Sequence, residues 1–384
     1  MATYNLKRFT RPGALRAIHP DHLRALLAEH EAYFSARGHE LPPAGSANGF
    51  DYEGLARVFM TPDTDTPPAL SNALYLIHEM STPGRMDELM CVCEREGIRL
   101  NAGPEPTPAD VAVQVWLHAP DLLDRLHAEH YLTRPRSFEY YQTDRVDPPE
   151  IETPSHAVLA ALAKDLDQWF LKNRRGRGAQ VEAFPKDDSI WFLVRHAEPL
   201  ERKGIVVGEG ESDSLLFRAQ AHDVVVYYRA LGELQIHANT KREKDLYRKM
   251  FGRHLFGHDE FFPGTGKYTL DPLRTHGSKS LACDDIDGIE SVKLKQVEVF
   301  WGGPEKEITT HKANDLFRAM EAGGRALPEK ARMTRASFAV KFSDSKTPRT
   351  VTIRPSNVAQ FLRDGDSAVT ERWLQKRGFI LAGR

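Results

Sequence analysis

Apolar positions in the first part of the chain recur at helical spacing. His22, Leu23, Leu26, Leu27, His30 and Phe34 fall at three- and four-residue steps, which line one face of an α-helix. Asp21 is the expected N-cap of this run and Gly38 its stop. Residues 70–80 and 86–95 carry the same pattern, separated by the breakers Ser81-Thr82-Pro83-Gly84. Thr107-Pro108-Ala109-Asp110 opens a further helix, with Thr107 as cap, Pro108 in the first helical position and an acid three residues on. Pro120-Asp121 restarts one through Leu122, Leu123, Leu126 and His127. Prolines punctuate these runs, so the pattern predicts a bundle with ordered connections rather than one long coiled coil.

The texture changes after a polar, proline-rich stretch at 143–154. Residues 157–171 form one more amphipathic helix, and Lys172 to Gly178 reads as a glycine-opened loop. Short runs at 190–194, 224–228, 233–237 and 292–300 are rich in β-branched and aromatic residues, the composition of strands. Ala230-Leu231-Gly232 joins two of them as a hairpin. Residues 198–213 read as a charged loop. Residues 241–251 return to helix, stopped by Gly252. Residues 337–342 and 349–354 alternate with period two around a polar turn, and 366–376 is a helix closed by Gly378, with Trp373, Leu374 and Phe379 expected in the core. The fold class is therefore α+β: a helical N-terminal domain over 1–145, a mostly antiparallel sheet domain over 157–330, and a small C-terminal hairpin–helix unit over 331–384.

Composition narrows the partners. The 384 residues carry 52 Lys and Arg against 54 Asp and Glu, a formal charge of −2, so the whole-molecule field gives no attraction to nucleic acid or anionic surfaces. A polyanion partner needs a local patch. No apolar run is long enough for a membrane span, the N-terminus lacks an apolar signal segment, and three cysteines make no disulfide framework. The expectation is a cytoplasmic protein without a membrane partner.

The sharpest local motif is the apolar strand 190–194 delivering Arg195-His196-Ala197-Glu198. It resembles the nucleophile motif of the histidine-phosphatase superfamily. The resemblance implies that His196 takes a phosphoryl group, that Arg195 neutralises its oxygens, and that His276 in Leu273-Arg274-Thr275-His276-Gly277-Ser278 is the second histidine. It covers residues 190–198 only, and the charged stretch and hairpin strands that follow differ from the alternating strands and helices of that family. The expectation is that His196 has no catalytic role, with a phosphoryl-transfer hydrolase as the alternative. Other histidine and cysteine groupings are read as structural. His127 and His130 lack a third ligand, Gly257 interrupts the turn between His254 and His258, and Cys91-Val92-Cys93 is neither a zinc nor a thioredoxin pattern. Gly264-Thr265-Gly266-Lys267 lacks the spacing and following helix of a P-loop. No metal and no cofactor is expected.

Two basic stretches remain. Lys172, Arg174, Arg175 and Arg177 are interleaved with glycines. Lys241, Arg242, Lys244, Arg248 and Lys249 line a helix. Such density can neutralise phosphates. The functional expectation is a non-enzymatic binding or scaffold component of a bacterial-type assembly, working beside a protein partner. It would contact nucleic-acid backbone through these residues without reading sequence.

Overall fold

The computed structural model describes residues 6–381 except 44, 46–48, 64, 102, 104, 144, 146–148, 208–209, 264–265 and 363–366. The protein is α+β, with helices concentrated in the N-terminal part and a ten-stranded antiparallel sheet after it. It divides into two compact units, Met1–His130 and Tyr131–Arg384.

The first unit is built from α1 (Pro12–Leu15), α2 (Pro20–Ala28), α3 (Glu31–Ala36), α4 (Tyr52–Met60), α5 (Pro68–Met80), α6 (Pro83–Arg95), α7 (Pro108–His118) and α8 (Pro120–Thr133), the last ending just beyond the unit. Proline opens α1, α2, α5, α6 and α7, where its missing N–H costs nothing and its fixed φ suits the helix. The run expected as one helix from Asp21 is two, and its cap is His19, whose Nδ1 accepts the Asp21 N–H at 3.3 Å. Thr107 caps α7 as expected, accepting the Asp110 N–H at 3.2 Å. Buried Asp110 holds α2 to α7, accepting from the His19 N–H at 2.7 Å and from Gln114 at 2.9 Å and pairing with His22 at 2.8 Å. Leu23, Leu27, Leu55, Ile77, Leu89, Val113 and Leu123 lie in the core of this unit.

The second unit runs β1 (Ser137–Gln142), α9 (His156–Lys172), β2 (Gln180–Lys186), β3 (Ser189–Ala197), β4 (Glu201–Val207), β5 (Glu211–Phe217), β6 (Gln220–Tyr228), β7 (Glu233–His237), α10 (Lys241–Phe256), α11 (Pro272–Thr275), β8 (Ile289–Gly302), β9 (Glu307–Lys312), α12 (Leu316–Ala322), β10 (Arg332–Phe342), β11 (Arg349–Arg354), β12 (Val358–Gln360) and α13 (Ser367–Lys376). The sheet order is β2-β3-β6-β7-β1-β12-β11-β10-β8-β9, and β4 and β5 pair only with each other, as a separate ribbon. The domain limits drawn from sequence differ from this in two places. Residues 137–142, assigned to the helical domain, form β1 in mid-sheet between β7 and β12. The 331–384 segment contributes β10, β11 and β12 to the same sheet, because β10 pairs with β8 and β12 with β1. The 143–154 boundary stretch lies partly outside the described residues.

Helices α9 and α10 cover one face of the sheet, packing Leu162, Leu166, Phe170, Leu246, Tyr247 and Phe251 over Ile190, Phe192, Val194, Val225 and Tyr227. Helix α10 runs through Gly252 to a left-handed cap at Gly257, φ +72°. Gly252 instead allows a close backbone approach: a Cβ there would stand 2.7 Å from the His258 carbonyl oxygen. Trp373, Leu374 and Phe379 are fully buried, Trp373 and Phe379 against Phe338 of β10. Among the described residues no helix is long and apolar enough to cross a membrane.

Candidate nucleic-acid interface

The basic loop after α9 is folded back on its helix. The Arg175 N–H donates to the Phe170 carbonyl at 2.9 Å, and the Gly178 and Ala179 N–H groups donate to Asp167 Oδ1 at 3.0 and 2.8 Å. Closing so tightly takes left-handed backbone at Arg174 (φ +63°) and Gly176 (φ +86°). The consequence is a division of labour among its cations. Lys172, Arg174 and Arg177 are exposed, while Arg175 is turned inward.

Arg175 is therefore not the phosphate ligand that its sequence neighbours suggested. Its Nη1 lies 2.5 Å from Glu243 Oε1 and 3.3 Å from Glu198 Oε2, an ion pair held by proximity rather than by hydrogen-bond alignment. Glu243 is itself a capping-box residue. Its Oε2 accepts the Thr240 N–H at 2.7 Å while Thr240 Oγ1 accepts the Glu243 N–H at 3.2 Å. A guanidinium between two carboxylates thus fastens the 173–178 loop to the first turn of α10, where Lys241 and Arg242 are exposed. Arg218 joins the same group. Its Nη1 donates to the Arg174 carbonyl at 2.6 Å and the Glu198 carbonyl at 3.3 Å, and its side chain covers Gly176 so closely that a Cβ there would be 3.2 Å from Nε. Nothing local in the sequence marks Arg218, an isolated arginine directly after β5.

Farther along α10, Lys244, Arg248 and Lys249 are ion-paired, the last two sharing the single Glu260 carboxylate. Lys244 pairs with Glu139 at 3.2 Å, Arg248 with Glu260 at 3.3 Å and with the Phe262 carbonyl, and Lys249 with Glu260 at 3.5 Å. These three, expected to assist phosphate binding, spend their charge on neighbours along the helix and the segment after it.

The residues of the phosphatase-like motif have the following surroundings. His196 is 2% exposed, stacked on Phe170 with ring centroids 4.4 Å apart. Both ring nitrogens have partners, Asp223 Oδ2 at 2.9 Å and the Ala197 carbonyl at 3.2 Å. Tyr247 also donates to Asp223, at 2.7 Å. Burial opposes charge on His196, but the Asp223 hydrogen bond and charge together outweigh it and raise its pKa. Arg195 pairs with Glu182 at 3.0 Å. His276 is exposed after α11, which Arg274 ties to the Pro328 and Ala331 carbonyls next to β10; β10 and β3 are the eighth and second strands of the sheet. The partners Asp223 and Tyr247 carry no motif of their own. The cross-strand register and the α10 packing supply them.

His196, Asp223 and Glu243 are the one group among the described residues whose ligand atoms could converge on a metal, all within 4.8 Å of one another. Arg175, Tyr247 and the Thr240 N–H already occupy the two carboxylates, so the arrangement reads as a charge-balanced core network. No known family model matches the chain, and no curated protein matches it at a significant level.

Proposed function

We propose that this protein is a non-enzymatic binding component that holds nucleic acid by its phosphate backbone, without sequence preference, through Lys172, Arg174, Arg177, Arg218, Lys241 and Arg242. The observation that carries the reading is the Arg175–Glu243 ion pair, which unites two basic segments far apart in sequence while leaving Lys172, Arg174, Arg177, Lys241 and Arg242 in solvent. Helix stability does not account for Lys241 and Arg242. Cations in a first turn oppose the helix dipole, at about 0.3–1 kcal/mol each. Arg175 pairs with the buried Glu243 and, at 3.3 Å, with the Glu198 carboxylate, which lowers the negative charge facing a phosphate. Contacts of this kind carry no base information, so little sequence preference follows.

The test is fluorescence anisotropy with labelled oligonucleotides over a salt series. Neutralising about five phosphates gives log affinity against log salt a slope near −4 to −5. Absence of binding at about 50 mM salt, where such contacts are strongest, would overturn the proposal.

A further inference from the structure

The ribbon β4–β5 leaves the sheet at the foot of the cationic cluster: Glu198 precedes β4, and Arg218, which touches the 174–176 loop, follows β5. Its register sorts its side chains. Directly opposed residues share a face, so one face carries the pairs Arg202/Leu216, Gly204/Ser214 and Val206/Ser212. The other carries Glu201/Phe217, Lys203/Leu215 and Ile205/Asp213, and Glu211 continues it. Every acid that the register assigns a face is thus on one side. The opposite side holds one arginine, two exposed aliphatic side chains and small residues between them.

Those aliphatic groups are not burying anything. Val206 is 75% exposed and Leu216 61%. On an arm with no acid on that face among the described residues, rooted beside Arg174, Arg177 and Arg218, they have the form of apolar wedges flanked by phosphate-binding cations. We infer that the ribbon lays this face in a groove of duplex DNA and presses Leu216 and Val206 against base steps, so that deformable duplex is preferred. The inference rests on the backbone-binding reading and names its substrate class.

Three features favour duplex DNA over other polyanions. Sequence-tolerant binding of single strands relies on aromatic platforms, whereas the exposed large hydrophobic side chains between residues 171 and 218 are the aliphatic Leu171, Leu200, Val206, Leu215 and Leu216. A two-stranded ribbon fits a groove of B-form DNA, and small residues at 204, 212 and 214 permit close approach of the sugar–phosphate walls. A lipid surface would have to take in a larger apolar area than two side chains, and the reverse face would carry Glu201, Glu211 and Asp213 to the headgroups.

The experiment compares the full chain with V206S/L216S, which changes exposed positions only, and with L215S on the opposite face as control. Ligands are a continuous DNA duplex, the same duplex with a two-nucleotide gap, a single strand, an RNA duplex, and vesicles of phosphatidylserine and phosphatidylcholine. The wild type and L215S should bind gapped duplex about tenfold or more tightly than continuous duplex, because a pre-weakened step costs less to kink. V206S/L216S should lose that preference with an unchanged salt slope. A preference that is absent, or that survives V206S/L216S, overturns the wedge. So does tighter binding of the single strand, the RNA duplex or the vesicles. Salt-dependent DNA binding that is indifferent to V206S/L216S sinks the ribbon alone, whereas loss of all nucleic-acid binding sinks the backbone reading beneath it.

Discussion

Arg175 and Arg177 stand two positions apart in one basic run, yet their surroundings give them opposite roles. Arg175 is enclosed between Glu198 and Glu243, and Arg177 faces solvent. Removing one partner of a buried pair strands the other charge, at about 3–5 kcal/mol. Arg175→Ala should therefore lower urea-unfolding stability by that order, while Arg177→Ala should stay within about 0.5 kcal/mol. Equal, small effects would contradict the assignment. His222 supplies a second test. Its ring stacks on Tyr131 at 4.2 Å, with Arg134 over the same Tyr131. Burial first, then Arg195 and Arg134, push its pKa down to about 4. The unfolded chain binds this proton near pH 6.5, so stability is complete above that pH and is lost as pH falls toward 4. His196, raised by Asp223, works with the opposite sign: its contribution is full below the unfolded value and fades as pH rises through the folded one. His222→Phe keeps a stacking ring and removes the titration. Its stability should fall less steeply than the wild type's between pH 6.5 and 4, and parallel curves would refute the shift.

At the scale of elements, what was legible in the sequence was what local pattern encodes. The 157–171 helix, the β6–β7 hairpin and the β10–β11 hairpin follow directly from apolar period and turn residues. The ribbon at 201–217 escapes local pattern because its strands are not half-buried. With no core face there is little apolar alternation to detect, and the cross-strand pairing that makes the ribbon is non-local. The helix stop at Gly252 failed for a related reason. A glycine can be required by the approach of another segment, here 258–259, as well as by a turn. The candidate site was half legible. The two basic stretches are visible in sequence, but their separation into free and neutralised cations depends on Glu139, Glu198, Glu243 and Glu260, which only the fold brings near.

For the second unit as a whole, the sheet interleaves distant segments. β1 lies between β7 and β12, and β8 lies between β9 and β10, so the last strands close the middle of the sheet rather than forming an appendage. A chain ending at residue 330 would lose β10, β11 and β12 together with the Trp373 packing, and would leave β1 and β8 each with one of its two neighbouring strands missing. It should lack a cooperative thermal transition for the 131–330 part. A native-like circular dichroism spectrum with a sharp melt would show that 331–384 is a separate unit after all.

Paired salt-slope measurements separate the exposed cations proposed to face a phosphate backbone from those ion-paired within the fold. Binding of a continuous duplex is followed by anisotropy across salt for the wild type, for K172A/R174A/R177A and for K244Q/R248Q/K249Q. The first variant should flatten the log–log slope by about three units, one for each phosphate no longer neutralised, and the second should leave the slope unchanged. Equal flattening by both variants, or flattening by the second alone, would contradict that separation.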